Sequence, residues 1–160
     1  MTSIPRSKYQ QTKSIEVTQK IDFSCSYITY RKWENSNTKV PTLGSYRYRF
    51  EATVVNPLKY DEQGRVISFE NLKYLLSQVV FDKFFLYDEL DHKQDDLVKA
   101  FNGIGIATYG FDGEISAEIL LERISLRLVE VVERYGLGTM VKETKLRETA
   151  NSYVTWRKDN

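Results

Sequence analysis

The alternation of residue types between positions 46 and 54 constrains the fold more than any other feature of the sequence. Aromatic and apolar residues alternate there with charged and polar ones, which is typical of a strand with one face on a core and the other on water. Residues 15–31 form a second alternating stretch, rich in β-branched and aromatic residues, and predict another long strand. Residues 32–43, which contain Pro41, are expected to separate the two strands.

Two amphipathic helices are predicted after the second strand. Apolar residues between Phe69 and Val80 recur at spacings of three and four, which places them on one side of a helix. A similar stripe follows Ser116, whose side chain is suited to cap the start of a helix, and Gly136 is expected to end it. The glycine-rich and acidic stretch between the helices, residues 87–113, is interpreted as a loop.

Two shorter strands are predicted after the second helix, at residues 139–144 and around 152–156. The order is then ββααββ, an α+β fold with no βαβ crossover. We expect a four-stranded antiparallel sheet with both helices on one face. The other face would need cover, so assembly into an oligomer is expected. Residues 1–14 are interpreted as a flexible N-terminal arm and residues 15–160 as a single domain.

Composition narrows the function classes. The formal net charge is +1, without a long run of either sign, so nucleic-acid binding is not expected. The N-terminus lacks the apolar core of a secretory signal and no apolar stretch is long enough to span a bilayer, so we expect a soluble, cytoplasmic protein without membrane contact. One cysteine, Cys25, and one histidine, His92, cannot by themselves form a His-rich zinc site.

Four short motifs occur in an order and spacing that resembles the 6-pyruvoyl-tetrahydropterin synthase and 6-carboxy-tetrahydropterin synthase family. The resemblance runs from about residue 15 to 156 and implies the T-fold, in which subunit sheets join side by side into an oligomeric barrel. Trimers stacked into hexamers, or tetramers, are the implied homo-oligomers. The motifs are Gly64 to Phe69, Leu90-Asp91-His92, Ile115 to Glu118, and Val141-Lys142-Glu143-Thr144.

The departures from the family pattern concern its metal site. The resemblance places Tyr27, Gly44 and Tyr46 where the family has three zinc-binding histidines, and Val40 where it has a cysteine. We therefore expect no metal and no other cofactor. Asp91 and His92 would remain as a residual catalytic pair that transfers a proton, with the carboxylate favouring the charged imidazole. The alternative is that the pair anchors a loop or a subunit contact.

Glu143 is the predicted ligand-binding residue, together with Thr144 and Ser116. In the family the corresponding Glu binds the pterin ring, and a carboxylate can accept two parallel N–H bonds from such a base without a metal. A structural interpretation instead pairs Glu143 with a nearby Lys or Arg. Glu148 and Thr149 repeat the same dipeptide five residues later, which leaves the register of this match open.

Three functions follow from these observations. The first is a T-fold protein without zinc that binds a pterin, deazapurine or purine-like ligand at subunit interfaces, without the standard lyase chemistry. The second is an oligomeric structural or protein-interaction module with a vestigial pocket. The third is an active 6-carboxy- or 6-pyruvoyl-tetrahydropterin synthase with an atypical site. The incomplete catalytic set favours binding over turnover.

Overall fold

Two strands of 17 residues each form the centre of the molecule, as the alternation predicts. A computed structural model describes residues 15–32, 37–57, 65–136 and 138–159; the predicted arm, residues 1–14, lies outside them. The elements are β1 (Glu16–Lys32), β2 (Lys39–Val55), α1 (Phe69–Val79), β3 (Phe84–Asp88), α2 (Asp95–Gly103), β4 (Thr108–Phe111), α3 (Ala117–Tyr135), β5 (Met140–Arg147) and β6 (Tyr153–Arg157).

The sheet is larger than expected. In the described residues it has six strands in the order β4-β3-β1-β2-β5-β6, and it is mixed, because β3 runs parallel to both β1 and β4. The prediction of a four-stranded antiparallel sheet is therefore wrong, although the α+β class is correct. The connection from β3 through α2 to β4 is a parallel crossover, so the expectation of a fold with no βαβ crossover is also wrong.

The two predicted helices both cover one face of the sheet. This helix face carries alternate residues of the central strands, such as Phe23 on β1 and Phe50 on β2, and both are buried. α1 packs on β1, while α3 packs on β5 and β6 and against α1. Burial of these apolar side chains is the main favourable term for the fold. Of the helices in the described part of the chain, none is long and apolar enough to cross a membrane.

The third helix, α2, lies on the opposite face. Phe84 and Leu86 pack into the main core, so Phe85 between them points to the other side of β3. The Phe101 ring of α2 contacts Phe85 there, with a centroid separation of 4.8 Å. α2, β4 and the last two residues of β3 fall within the stretch interpreted as a loop. β4 has only four residues and includes Gly110, which is too short for its periodicity to be visible.

The element boundaries follow local chemistry. Ser68 and Ser116 cap α1 and α3, and their hydroxyls accept the N–H of Asn71 and Ile119, as expected for Ser116. Pro41, expected in a break, lies inside β2 opposite Tyr30. It is tolerated there because β5 pairs with β2 only along residues 49–55, so no strand needs the missing N–H on that side.

Candidate functional site

Three tyrosines on the helix face occupy the region where the family resemblance places a metal. The rings of Tyr27 and Tyr46 stack with a centroid distance of 4.2 Å and an interplanar angle of 12°. The hydroxyls of Tyr27 and Tyr48 are 2.8 Å apart and form a buried hydrogen bond. Tyr27 and Tyr48 are buried, and Tyr46 is half-buried. We call Tyr27, Tyr46 and Tyr48 the tyrosine cluster.

Gly44 makes room for this cluster. It pairs with Tyr27 across the two strands, and the ring of Tyr46, two residues along β2, leans over it. A Cβ atom at position 44 would lie only 2.6 Å from the Tyr46 ring. Any larger residue at position 44 therefore requires the Tyr46 side chain to move. The stacking of Tyr46 on Tyr27 depends on the missing side chain.

The groups at these positions do not fit a zinc ion. Burial raises the pKa of Tyr27 to about 12 and raises the pKa of Tyr48 further, because a phenolate would lose its hydration. Zinc prefers imidazole nitrogen and thiolate sulfur to neutral phenols. Cys25 is also buried nearby, and burial raises its pKa to about 12, so its thiol stays protonated at neutral pH. Within the described ranges, no three His, Cys, Asp or Glu side chains lie close enough to hold a metal.

Asp91 and His92 point to different partners. The Asp91 carboxylate accepts a hydrogen bond from the Tyr30 hydroxyl, a second from the Lys93 backbone N–H at 3.2 Å and a third from the Gln94 amide at 3.1 Å. The hydrogen bond from Tyr30 holds the pKa of Asp91 below its usual range. His92 has an 86% exposed side chain, and its Nδ1 lies 3.3 Å from Asp95. Asp91 therefore ties a short 3₁₀ turn to β1 and does not orient His92.

A cavity of about 330 Å³ lies between the start of α3 and the turn that joins β5 to β6. α3 contributes Ala117 and Glu118, so the cavity borders the segment predicted from the family motif at Ser116. Tyr48 connects it to the tyrosine cluster. The remaining lining residues come from β5, the turn and β6: Leu146, Glu148, Asn151, Ser152, Tyr153 and Val154. We call this space the α3 cavity.

Ser116 and Thr144, both predicted to bind ligand, have structural partners. The Ser116 hydroxyl is used as the α3 cap, as described above. Thr144 is fully buried, and its hydroxyl lies 2.6 Å from that of Ser125 on α3. The Ser125 hydroxyl in turn donates to the Leu121 carbonyl at 2.7 Å. Thr144 thus satisfies a buried polar contact between β5 and α3.

Glu143 lies on the face of the sheet opposite α1 and α3. An irregularity in the pairing of β2 with β5 matches Thr53 to Glu143 but Val54 to Val141, so a β-bulge turns Glu143 away from the core. Its carboxylate is 2.8 Å from Arg157 and 3.3 Å from Lys145. Burial acts to raise the pKa of Glu143, but these two cations hold it below its usual range. The observed pairing is the one that the structural interpretation of Glu143 describes.

Glu148 lines the α3 cavity from the turn after β5, and Glu118 lines it from α3. Glu148 follows the last residue of β5, and its backbone N–H donates to the Ser152 carbonyl at 3.1 Å, which fixes the turn. The Thr149 hydroxyl accepts two further N–H groups of this turn. The sequence contained the signal, since Glu148-Thr149 repeats the Glu-Thr dipeptide, but Val141 and Lys142 favoured the other copy. Only the position of the turn distinguishes the two.

The arrangement of elements has the fold of 6-pyruvoyl-tetrahydropterin synthases. A structure of that synthase from Plasmodium vivax superposes with a TM-score of 0.60, at 14% identity over 92% of this chain and 99% of that chain. The Caenorhabditis elegans synthase gives a TM-score of 0.57, at 14% identity over 92% of this chain and 97% of that one. The predicted family resemblance is therefore confirmed at the level of the fold.

A protein of undescribed function shares the fold as well. The uncharacterized protein WS1659 from Wolinella succinogenes gives a TM-score of 0.65, at 14% identity over 92% of this chain and all of that chain. No protein-family model and no curated protein sequence matches the chain. The likeness thus concerns the path of the backbone along nearly the whole chain.

Proposed function

We propose that the protein binds a pterin, deazapurine or purine-like heterocycle in the α3 cavity, without zinc-dependent lyase chemistry. The observation that carries this proposal is the position of Glu148. Glu148 lines this cavity together with Glu118 and the aromatic residue Tyr48. A small concave site with a few converging polar groups is the usual form of a ligand pocket.

The chemistry of recognition follows from the carboxylate. A carboxylate such as that of Glu148 can accept two parallel N–H bonds from a ring N–H and an adjacent amino group, which is the edge that pterins and guanine share. Among the described residues the Glu148 side chain has no ion pair that would compete. Its neighbour Arg147, by contrast, pairs with Glu51 at 2.9 Å. Glu148 belongs to a turn that is fixed by hydrogen bonds, so little backbone entropy is lost when its carboxylate binds such an edge.

The tyrosine cluster supports binding over turnover. In the family, zinc polarises the substrate, and here the corresponding positions carry two stacked phenol rings and a glycine. Asp91 holds a turn and His92 is exposed. Neither Asp91 nor His92 is thus placed to move a proton in the α3 cavity. The polar residues that line this cavity are still present to bind a ligand.

Calorimetry with neopterin, guanosine and 7-deazaguanine tests the proposal. Glu148→Gln keeps the shape but removes the charge, and we expect a dissociation constant raised about tenfold or more. Glu143→Gln is the matched control, expected to change affinity less than about twofold. The opposite pattern would restore the original prediction for Glu143. Absence of binding by all three compounds would contradict the proposal.

Metal analysis and turnover separate the proposal from an active synthase. We expect purified protein to contain no stoichiometric zinc and to leave dihydroneopterin triphosphate unchanged. One zinc per chain together with turnover would overturn the proposal and favour a synthase with an atypical site.

A homo-oligomer is part of the proposal. In the described residues β4 and β6 form the two edges of the sheet, and unpaired edges are templates for pairing with another copy. Side-by-side joining of β4 to β6 of the next subunit would produce the barrel expected from the family. Native mass spectrometry is expected to give a single closed oligomer. A purely monomeric protein at micromolar concentration would contradict it, and a closed oligomer that binds none of the three heterocycles would favour a structural module.

A further inference from the structure

A second cavity, of about 300 Å³, opens on the sheet face opposite α1 and α3. Asp22, Arg49 and Arg147 are successive neighbours across β1, β2 and β5, and Arg47 lies two residues along β2 on the same face. The turn after β5 closes one side with Glu148, Thr149 and Ala150, and Tyr48 also contributes. We call this space the arginine cavity.

From these contacts we propose that the arginine cavity binds the oxyanion group, a phosphate or a carboxylate, of a small molecule. Three arginines line it together with two acidic residues, Asp22 and Glu148, and a third carboxylate, that of Glu51, pairs with Arg147 beside it. Guanidinium groups bind carboxylates and phosphates through paired N–H donors. The two cavities share Tyr48 and Glu148 as lining residues, but the three arginines line only the arginine cavity. The proposal uses those arginines, so a failure of heterocycle binding would not contradict it.

The contacts within the cavity hold two of the arginines in place. Arg49 Nε lies 2.8 Å from one Asp22 oxygen and Arg49 Nη2 lies 3.3 Å from the other. The hydrogen bond from Arg49 holds the pKa of Asp22 below its usual range, so this carboxylate stays charged. The Arg147 Nε donates to Glu51 at 2.9 Å, and its guanidinium lies 4.5 Å from the Tyr153 ring centre. Both side chains thus have partners on the protein that do not depend on a ligand.

Donors remain for a ligand. The Nη groups of Arg147 make no hydrogen bond to any residue that the structure describes. Arg47 is 80% exposed and approaches Asp22 only to 3.8 Å, too far for a hydrogen bond. An oxyanion that contacts Arg47 and Arg147 would therefore gain hydrogen bonds without breaking the pairs of Asp22 with Arg49 and of Glu51 with Arg147. The arginine cavity therefore differs from an ordinary charged surface, on which every cation is already paired.

The test uses inorganic phosphate and succinate as probes, titrated into the whole protein at low ionic strength and followed by amide chemical shifts. We expect saturable shifts in residues 147–150. Arg147→Gln should weaken binding about tenfold, and Arg47→Gln, an exposed position, provides the same test if the first variant is unstable. Arg157→Gln on β6 is the control, since Arg157 is a cation outside the cavity, and it should change affinity less than about twofold.

The two probes distinguish the sources. Tighter binding of phosphate indicates a phosphorylated ligand, and tighter binding of succinate indicates a carboxylic acid; either supports the proposal. No saturable shift with either probe overturns it. Equal weakening by Arg157→Gln also overturns it, because it would show a general charge effect. So does binding that is seen only with a polymer such as single-stranded DNA.

Discussion

The two faces of the central sheet use hydroxyl groups in opposite ways. On the helix face the hydroxyls of Ser125 and Thr144 meet at 2.6 Å in full burial. We call the face opposite α1 and α3 the open face. There the hydroxyls of Thr18 and Thr53 meet at a similar distance, 2.7 Å, in contact with solvent. A buried polar group that loses its partner pays for desolvation, whereas an exposed one turns to water. The distance between two hydroxyls therefore does not tell how much their hydrogen bond contributes to the free energy of unfolding.

The largest difference between the faces is expected from an apolar truncation. Phe50→Ala on the helix face, where the side chain is fully buried, should lower the free energy of unfolding by about 3–5 kcal/mol. Lys20→Ala on the open face of β1 is the control and should change it by less than about 0.5 kcal/mol. Urea unfolding measures both. Similar losses from both substitutions would break the distinction between the faces.

A pH effect is expected from the tyrosine cluster. The pKa of Tyr27 is near its ordinary value of 10.0 when unfolded and about 12 when folded, so between these values the unfolded chain releases the proton first. Stability is therefore intact below pH 10 and falls as the pH rises towards 12, by about 2 kcal/mol.

Urea midpoints from pH 9 to 12 measure this loss. The fall of the urea midpoint with pH should be shallower in Tyr27→Phe than in the original protein. It should be unchanged in Tyr153→Phe, whose ring is exposed. An equal slope in all three proteins would show that the buried phenol is not the cause.

The paired hydroxyls sharpen the comparison directly. Ser125→Ala leaves the Thr144 hydroxyl buried without its partner and should cost about 1–2 kcal/mol. Adding Thr144→Val should recover part of that loss, since no buried hydroxyl then lacks a partner. Thr53→Val on the open face should change the free energy of unfolding by less than about 0.5 kcal/mol. A loss from Thr53→Val as large as that from Ser125→Ala would contradict the argument.

The smallest effect is expected at Glu143. Glu143→Gln removes ion pairs with Lys145 and Arg157 at the sheet surface, so the loss should stay below about 1 kcal/mol and shrink in 1 M salt. Because the pKa is lowered by folding, this contribution is present above the ordinary value of 4.5 and is lost as the pH falls below it. Thermal unfolding at pH 7 and pH 3 measures it, and a larger or salt-independent loss would contradict an exposed pair.

Strong periodicity made part of the fold predictable. The alternation in β2 and the spacing in α1 and α3 each extend over several repeats, so the elements and the helix face were correctly predicted. Phe69 is an exception, since it fits the α1 stripe but is 65% exposed. The α1 stripe ends there because Phe69 is the first residue of the helix. β4 has four residues, which is too few to show a period.

The candidate site was harder to predict because it depends on register. Alternation places Val141 and Glu143 on one face, but the bulge at Lys142 separates them. No local pattern distinguishes Glu143 from Glu148 until the end of β5 is known. The contact of Tyr27 with Tyr46 likewise requires the pairing of β1 with β2. The sequence therefore predicts which residue types form the site, but it does not predict which of these residues contact each other.

The close approach of Tyr46 to Gly44 also restricts how this protein can change over generations. A side chain at position 44 would overlap the Tyr46 ring, so a histidine gained there first must displace that ring, whereas exchange of Tyr46 first would open the space. The two sites are thus epistatic, and the order of mutations matters. A protein that carries both Gly44 and Tyr46 therefore cannot gain a histidine at position 44 without a change in the placement of Tyr46, a restriction that neither residue imposes alone.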